Sequence, residues 1–189
     1  MHPLATSVSI SFIIPPSSFI LSLVPLTFRP ATAADIPLLR DLASRIWRTC
    51  YPGVITVEQI DYMLAWMYSA EKIAEELTTG VLWEIALLDD TPAGYLSLTF
   101  GTASAELHKL YLLPALHGQG LGQAMLARAL AQTAAHGNTE LRLRVNKGNA
   151  RALRSYARAG FRIVDSVVVE IGGGFVMDDY LLVRPLATR

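Results

Sequence analysis

Gly118, Gly120 and Gly122 stand at every second position of a short stretch that opens onto an apolar, alanine-rich helical pattern. Glycine inside a helix or strand costs roughly 0.5–1 kcal/mol relative to alanine, so this cluster implies a need for bare backbone. The chemistry it suits is anion binding. Several N–H groups converging on a helix N-terminus, with no side chains in the way, can hold a pyrophosphate without a lysine. Two better-known phosphate motifs fail on spacing. A Walker A loop ends in Gly-Lys-Ser/Thr, where this chain has Gly122-Gln123-Ala124. A dinucleotide fingerprint needs its third glycine where this chain has Gln123 or Met125. A tight strand-to-helix turn with no ligand also fits the loop.

A second group lies downstream. Asn149 and Tyr156 are seven residues apart, two helical turns, and so share a helix face. Upstream, Glu106 and His108 are candidate proton acceptors, His108 because its ordinary pKa lies near neutrality. Strand periodicity predicts Glu106, His108, Leu110 and Leu112 on one face. Each of the two also fits an ordinary solvated strand residue.

The elements that must position these groups follow from pattern and punctuation. A short strand near residues 26–32 ends at Pro30. A helix follows, with Asp35 as cap and Pro37 in its first turn, and Thr56 caps a second helical run through about residue 77. Two strands flank Asp89–Thr91 as a hairpin, and a further strand reaches Pro114. The glycine loop then leads into a helix from Leu121 to His136, closed by Gly137. A strand ending near Val145, a helix from Asn149 to Gly160 and a closing hairpin about Gly172–Gly174 complete the order β-αα-ββ-β-α-β-α-ββ.

Composition narrows the classes. Hydrophobic residues make up 52% of the 189 residues and charged ones 17%, which marks a folded chain with one core. Sixteen basic residues balance sixteen acidic ones, so neither nucleic acid nor a membrane surface is expected as a partner. Cys50 is the sole cysteine, which excludes an intrachain disulfide and a Cys-built metal site and fits the cytoplasm. No metal is expected. Residues 1–25 carry no charged side chain and four prolines. They read as a disordered or non-native extension, with a degenerate membrane-targeting segment as the alternative. Residues 26–189 form a single domain.

At "HGQGLG" and "NARALRSYARAGF", with Asn149, Ala152, Tyr156, Gly160 and Phe161 in place, the chain resembles the GNAT superfamily of acetyl-CoA-dependent N-acetyltransferases. The resemblance runs from Leu26 to about Leu186. It implies a mixed α/β fold: a central, mostly antiparallel sheet flanked by helices. It also implies direct attack of a primary amine on the thioester of acetyl-CoA, with a small molecule or a protein amine as acceptor and room for a homodimer.

In that resemblance the cofactor-binding residues are Leu110, Tyr111, Leu112, His117, Gly118, Gln119, Gly120, Leu121, Gly122, Gln123 and Asn149. Amides of Gly118, Gln119, Gly120, Gly122 and Gln123 would face the pyrophosphate, and backbone from Leu110 to Leu112 the pantetheine arm. The Leu112 N–H would meet the oxyanion. Tyr156 matches the general acid that protonates the leaving thiolate, and Glu106 stands where some members carry a catalytic base, ahead of His108. His117 departs from the usual Gln or Arg, and Arg144 replaces a glutamate used by some members that acetylate protein N-termini. Trp47, Tyr51, Tyr62, Trp66 and Tyr68 fall on the acceptor side, where aromatics could accommodate a cation although core packing is the expected role. Asp178 and Asp179 stand beside the closing hairpin, where a carboxylate could attract an amine, although a solvated turn is the expected role. A non-catalytic acyl-CoA sensor is the alternative function.

Overall fold

The computed structural model describes residues 26–186, so the reading of residues 1–25 lies outside the described residues. A seven-stranded sheet in the order β1-β2-β3-β4-β5-β7-β6 carries helices on both faces. The strands are β1 (Thr27–Pro30), β2 (Leu82–Leu88), β3 (Thr91–Phe100), β4 (Ser104–Leu112), β5 (Glu140–Asn146), β6 (Arg162–Gly172) and β7 (Phe175–Pro185). Every neighbouring pair is antiparallel except β4–β5. The expected mixed, mostly antiparallel sheet is present.

The helices are α1 (Ile36–Cys50), α2 (Val57–Met67), α3 (Ala70–Thr78), α4 (Leu121–Ala135) and α5 (Ala150–Arg158). The order therefore has three helices after β1 where the sequence pattern suggested two. The second run breaks because Tyr68 leaves helical geometry and Ser69 caps a new helix, accepting from the Lys72 amide at 3.0 Å. Tyr68 then turns inward, and its hydroxyl oxygen accepts from the Tyr95 hydroxyl at 2.9 Å. Asp35 differs as well: its carboxylate does not cap α1 but pairs with Arg29 and accepts from the Thr32 amide. The β2–β3 hairpin turns through Asp89 and Asp90, both in left-handed conformation, as a two-residue turn of the right-handed ladder requires.

The two faces bury different cores. Helices α1 to α3 cover one face through Leu39, Leu42, Ile46, Trp47, Ile60 and Ile73 against Trp83, Ile85 and Tyr95. Helices α4 and α5 cover the other, where Leu126 and Ala129 meet Leu96, Leu107, Leu141 and Leu143.

The middle of the sheet does not close. The parallel pairing of β4 with β5 stops at Leu107–Leu143, while β5 remains paired with β7 as far as Asn146–Asp179. At the same point β4 carries a bulge against β3: Ser97 pairs with Lys109 but Leu98 with Leu107, so His108 is the extra residue. Past the bulge, β4 and β5 part and leave a wedge through the sheet.

Candidate active site

The wedge is the centre of a cleft of about 1380 Å³ that reaches both faces of the sheet. On one side it meets the N-terminal ends of α4 and α5, on the other α1 and α2. The bulge decides which groups of β4 look where. Leu113 donates to the Ala93 carbonyl, so the antiparallel alternation gives the backbone of Tyr111 to β3 and turns that of Leu110 and Leu112 toward the wedge. Tyr111 thus contributes a side chain to the site, not the backbone group expected of it. His108 disturbs the side-chain alternation too. Ala105 and Leu107 join the α4 core and so do Leu110 and Leu112, while Lys109 and Tyr111 face α1 to α3. The expected single face of Glu106, His108, Leu110 and Leu112 is overturned, because one inserted residue exchanges the faces downstream. Glu106 shares the α1 side with Lys109 and Tyr111, opposite Leu110 and Leu112. His108 bonds to Thr99 Oγ1 at 2.8 Å, and desolvation with the Lys109 charge lowers its pKa.

The β3 neighbour makes this edge possible. A Cβ on Gly94 would lie 2.2 Å from the Tyr111 carbonyl oxygen. Only a residue without a side chain lets β3 approach β4 there.

The glycine loop opens α4 as the spacing implied. Gly118 and Gly120 have φ of 83° and 81°, and Gly120 is the left-handed N-cap of α4. Among the described residues, the amides of Gly118, Gln119, Gly120, Leu121 and Gly122 donate to no backbone carbonyl. These are the unpaired donors of a helix start, at the positive end of its dipole. Gln123 does not present its amide to the cleft as expected: that N–H donates to the Gly120 carbonyl at 3.0 Å. Its side chain instead donates to Ser155 O and Oγ, tying α4 to α5 beside the wedge. Gln119 and Leu121 do not line the cleft either. Leu121 packs inward with Leu112 and Met125, and Gln119 turns back toward the Ala115 carbonyl. His117 Nε2 donates to the Leu112 carbonyl at 2.9 Å, holding the loop against the strand end.

On α5, Asn149 Oδ1 accepts from the Ala152 amide at 3.0 Å and caps the helix. The far end closes with Phe161 N–H on the Tyr156 carbonyl and Gly160 N–H on that of Ala157, the paired bonds of a Schellman motif. Phe161 is buried and meets the Tyr156 ring edge-on at 5.6 Å, which fixes the phenol against the wedge. Tyr156 lines the cleft, and its hydroxyl makes no hydrogen bond among the described residues. Burial, with Tyr51 nearby, pushes its pKa well above that of an ordinary phenol. It is therefore a proton donor at any physiological pH. Arg151, Arg154 and Arg158 line the same wall at helical spacing and form no ion pair among the described residues. The sequence reading passed over them, although their spacing of three and four on one helix was visible.

Across the sheet the aromatic residues divide. Trp47 and Tyr68 are core, as expected, and Tyr62 donates to the Ile171 carbonyl. Tyr51 lines the cleft, stacks on Trp47 at 4.3 Å and shares a hydrogen bond with the Tyr111 hydroxyl at 3.1 Å. Trp66 also borders the cleft and is 48% exposed. Beneath them Lys109 is 3% exposed and bonds Glu76, which also accepts from Trp83 Nε1. Burial lowers the Lys109 pKa and Glu76 opposes that shift. Asp178 and Asp179 lie within β7, not in a turn. Asp178 pairs with Lys147, whereas Asp179 is 3% exposed and borders the cleft opposite Asn146. The solvated-turn expectation fails because the hairpin tip lies upstream, at Gly172–Gly174, and β7 has already begun at Phe175.

No group of three or more potential metal ligands occurs among the described residues, and none of their helices is long and apolar enough to cross a membrane. Residues 40–161 match the acetyltransferase (GNAT) family. An N-acetyltransferase of Mycobacterium bovis, itself described as uncharacterized, is 34% identical over 80% of this chain and 98% of its own length. A spermidine N(1)-acetyltransferase of Thermoplasma acidophilum is 28% identical, covering 79% of this chain and 94% of that protein. The crystal structure of the PaiA N-acetyltransferase from the same organism, in complex with coenzyme A, superposes with a TM-score of 0.73 at 25% identity. That match covers 85% of this chain and 99% of the other.

Proposed function

This chain belongs to the GNAT acetyltransferase family and is an acyltransferase, and from that premise we propose that it moves acetyl from acetyl-CoA to a primary amine by direct attack. The observation that carries the proposal is a cleft open to both faces at the β4–β5 wedge, with Tyr156 in its lining. Two substrates can approach one point from opposite sides. The amides from Gly118 to Gly122 would take the pyrophosphate at the start of α4. The arginines of α5 would meet the remaining phosphate charge, and Leu110 and Leu112 would hold the pantetheine arm through backbone groups. Asn149 lies at the same edge. The acceptor would enter between α1, α2 and the polar face of β4, β5 and β7.

The reaction has four requirements. The ammonium of the acceptor sheds a proton to a carboxylate on the α1 side of the wedge, for which Glu106 is the residue nominated by the sequence. The neutral nitrogen attacks the thioester carbon. A donor at the Leu112 N–H stabilises the oxyanion while the tetrahedral intermediate lasts. As the C–S bond breaks, Tyr156 protonates the sulfur. The positions of Leu112 and Tyr156 support these roles: one backbone and one hydroxyl donor face the same opening.

The relative named for spermidine adds polyamines to the acceptors worth testing. Incubation of the full chain with acetyl-CoA and spermidine, lysine or a short peptide with a free N-terminus, read by thiol release and product mass, tests the proposal. Acetylated product with stoichiometric thiol is expected. Tight coenzyme A binding without transfer to any amine would favour the acyl-CoA sensor instead.

A further inference from the structure

Asp179 is a buried carboxylate that nothing in the fold uses. It is 3% exposed, yet among the described residues it makes no hydrogen bond and no ion pair. The other buried carboxylate among the described residues is engaged: Glu84 pairs with Arg128 and accepts from Gln132. Leaving a buried carboxylate unpartnered costs stability, and such a cost is commonly retained where function requires it. Its remaining exposure faces the cleft.

We infer that Asp179 is the group that takes the proton from the acceptor amine, an assignment that rests on the acetyl-transfer reading and specifies its carboxylate. The residue stands on β7 opposite Asn146, at the last β5 position before the wedge is left behind. It shares the α1 side with Tyr51, and Tyr51, Tyr156 and Asp179 all line the one cleft. Carboxylate, phenol and acid thus cluster about the same opening. Glu106 also lines the cleft, but on the other side of the bulge, in the stretch where β4 and β5 are still paired, opposite Arg142.

The charged and titratable groups around Asp179 are Arg144 on β5, Lys147 beyond it, Asp178 on its own strand and the Tyr51 phenol at the C-cap of α1. Desolvation raises its pKa and Arg144 opposes the rise. A carboxylate moved upward in this way is a stronger base. In the step, R–NH3+ gives one proton to the Asp179 carboxylate. The freed lone pair forms the C–N bond as the carbonyl π pair moves to oxygen. Collapse restores the carbonyl and breaks C–S. Tyr156 gives its proton to sulfur and regains one from the new amide nitrogen, and Asp179 releases its proton to solvent. The sum is amide, free thiol and one proton.

The test compares wild type, Asp179→Asn, Asp179→Glu and Glu106→Gln at saturating acetyl-CoA, with whichever of the three amines above turns over fastest. In wild type, kcat/KM should fall as pH drops through the raised pKa of the base. Asp179→Asn should lower kcat by about 10²–10³ and lose that acidic limb, with its acetyl-CoA thermal shift intact. Asp179→Glu should recover part of the rate, and Glu106→Gln should lose much less than Asp179→Asn. Loss of the limb in Glu106→Gln, or a rise in amine KM alone in Asp179→Asn, would overturn the assignment. Absence of transfer by wild type to any amine would instead remove the reading beneath it.

Discussion

The two sides of the wedge are built from different material. The side proposed for the cofactor is backbone: a left-handed Gly120, unpaired amides at the start of α4 and the edge of β4 at Leu110 and Leu112. The side proposed for the acceptor is made of side chains that come from separate elements, with Tyr51 from the C-cap of α1, Glu76 from α3, Lys109 and Tyr111 from β4 and Asp179 from β7. Backbone recognition suits a partner that does not vary. Side-chain recognition can change one residue at a time while the sheet stays as it is, so this is where the acceptor would be chosen.

If that division holds, substitutions on the two sides should fail in different ways. The largest effect belongs to the floor of the acceptor side. Glu76→Ala strands the buried Lys109 cation, and removing one partner of such a pair costs roughly 3–5 kcal/mol. Urea unfolding should show it as a large drop in midpoint, and a small one would mean that Lys109 finds water. Next comes Tyr156→Phe, which should lower kcat by about 10²-fold with acetyl-CoA affinity nearly unchanged. Equal loss of affinity and turnover would make the phenol part of the binding surface. Gly120→Ala probes the backbone side. Holding alanine in left-handed geometry costs roughly 1–2 kcal/mol, so acetyl-CoA should bind about tenfold more weakly by calorimetry, while kcat at saturation is kept.

The smallest effect concerns Asp179, and its sign is informative. Its pKa is raised on folding, so the stability it lends is complete below the unfolded carboxylate value near 4 and is lost as pH rises through the folded value. At neutral pH the charged form is a burden. Asp179→Asn should therefore stabilise the protein near pH 7 by about 1 kcal/mol and do little at low pH, as thermal unfolding at the two pH values would show. Destabilisation at pH 7 would mean that the carboxylate has a structural partner.

The same division explains what the sequence disclosed. Glycine at positive φ leaves a mark in one short stretch, and Asn149, Tyr156, Gly160 and Phe161 mark a single helix and its cap, so the cofactor wall could be read from local spacing. The hairpin at Asp89–Asp90 and the cap at Thr56 were legible for the same reason. The bulge at His108 has no such mark. It comes from the pairing of β3 with β4, and it moved Glu106 to the face opposite Leu110 and Leu112. Asp179 could be picked out as an acid able to attract an amine but not separated from Asp178 or from a solvated turn: its burial depends on where β7 runs beside β5, and in the sequence it is one of two adjacent acids near a glycine turn. Gln119, Leu121 and Gln123 show the limit of a motif, since their place in the loop says nothing of whether a side chain turns inward or an amide is already bonded.

A crystal structure with bound coenzyme A tests the central claim most directly. The wedge should hold the pantetheine arm against Leu110 and Leu112, with the pyrophosphate on the amides of Gly118 to Gly122 and the sulfur within hydrogen-bonding reach of the Tyr156 hydroxyl. A cofactor seated away from the wedge, or a sulfur remote from that hydroxyl, would contradict the account.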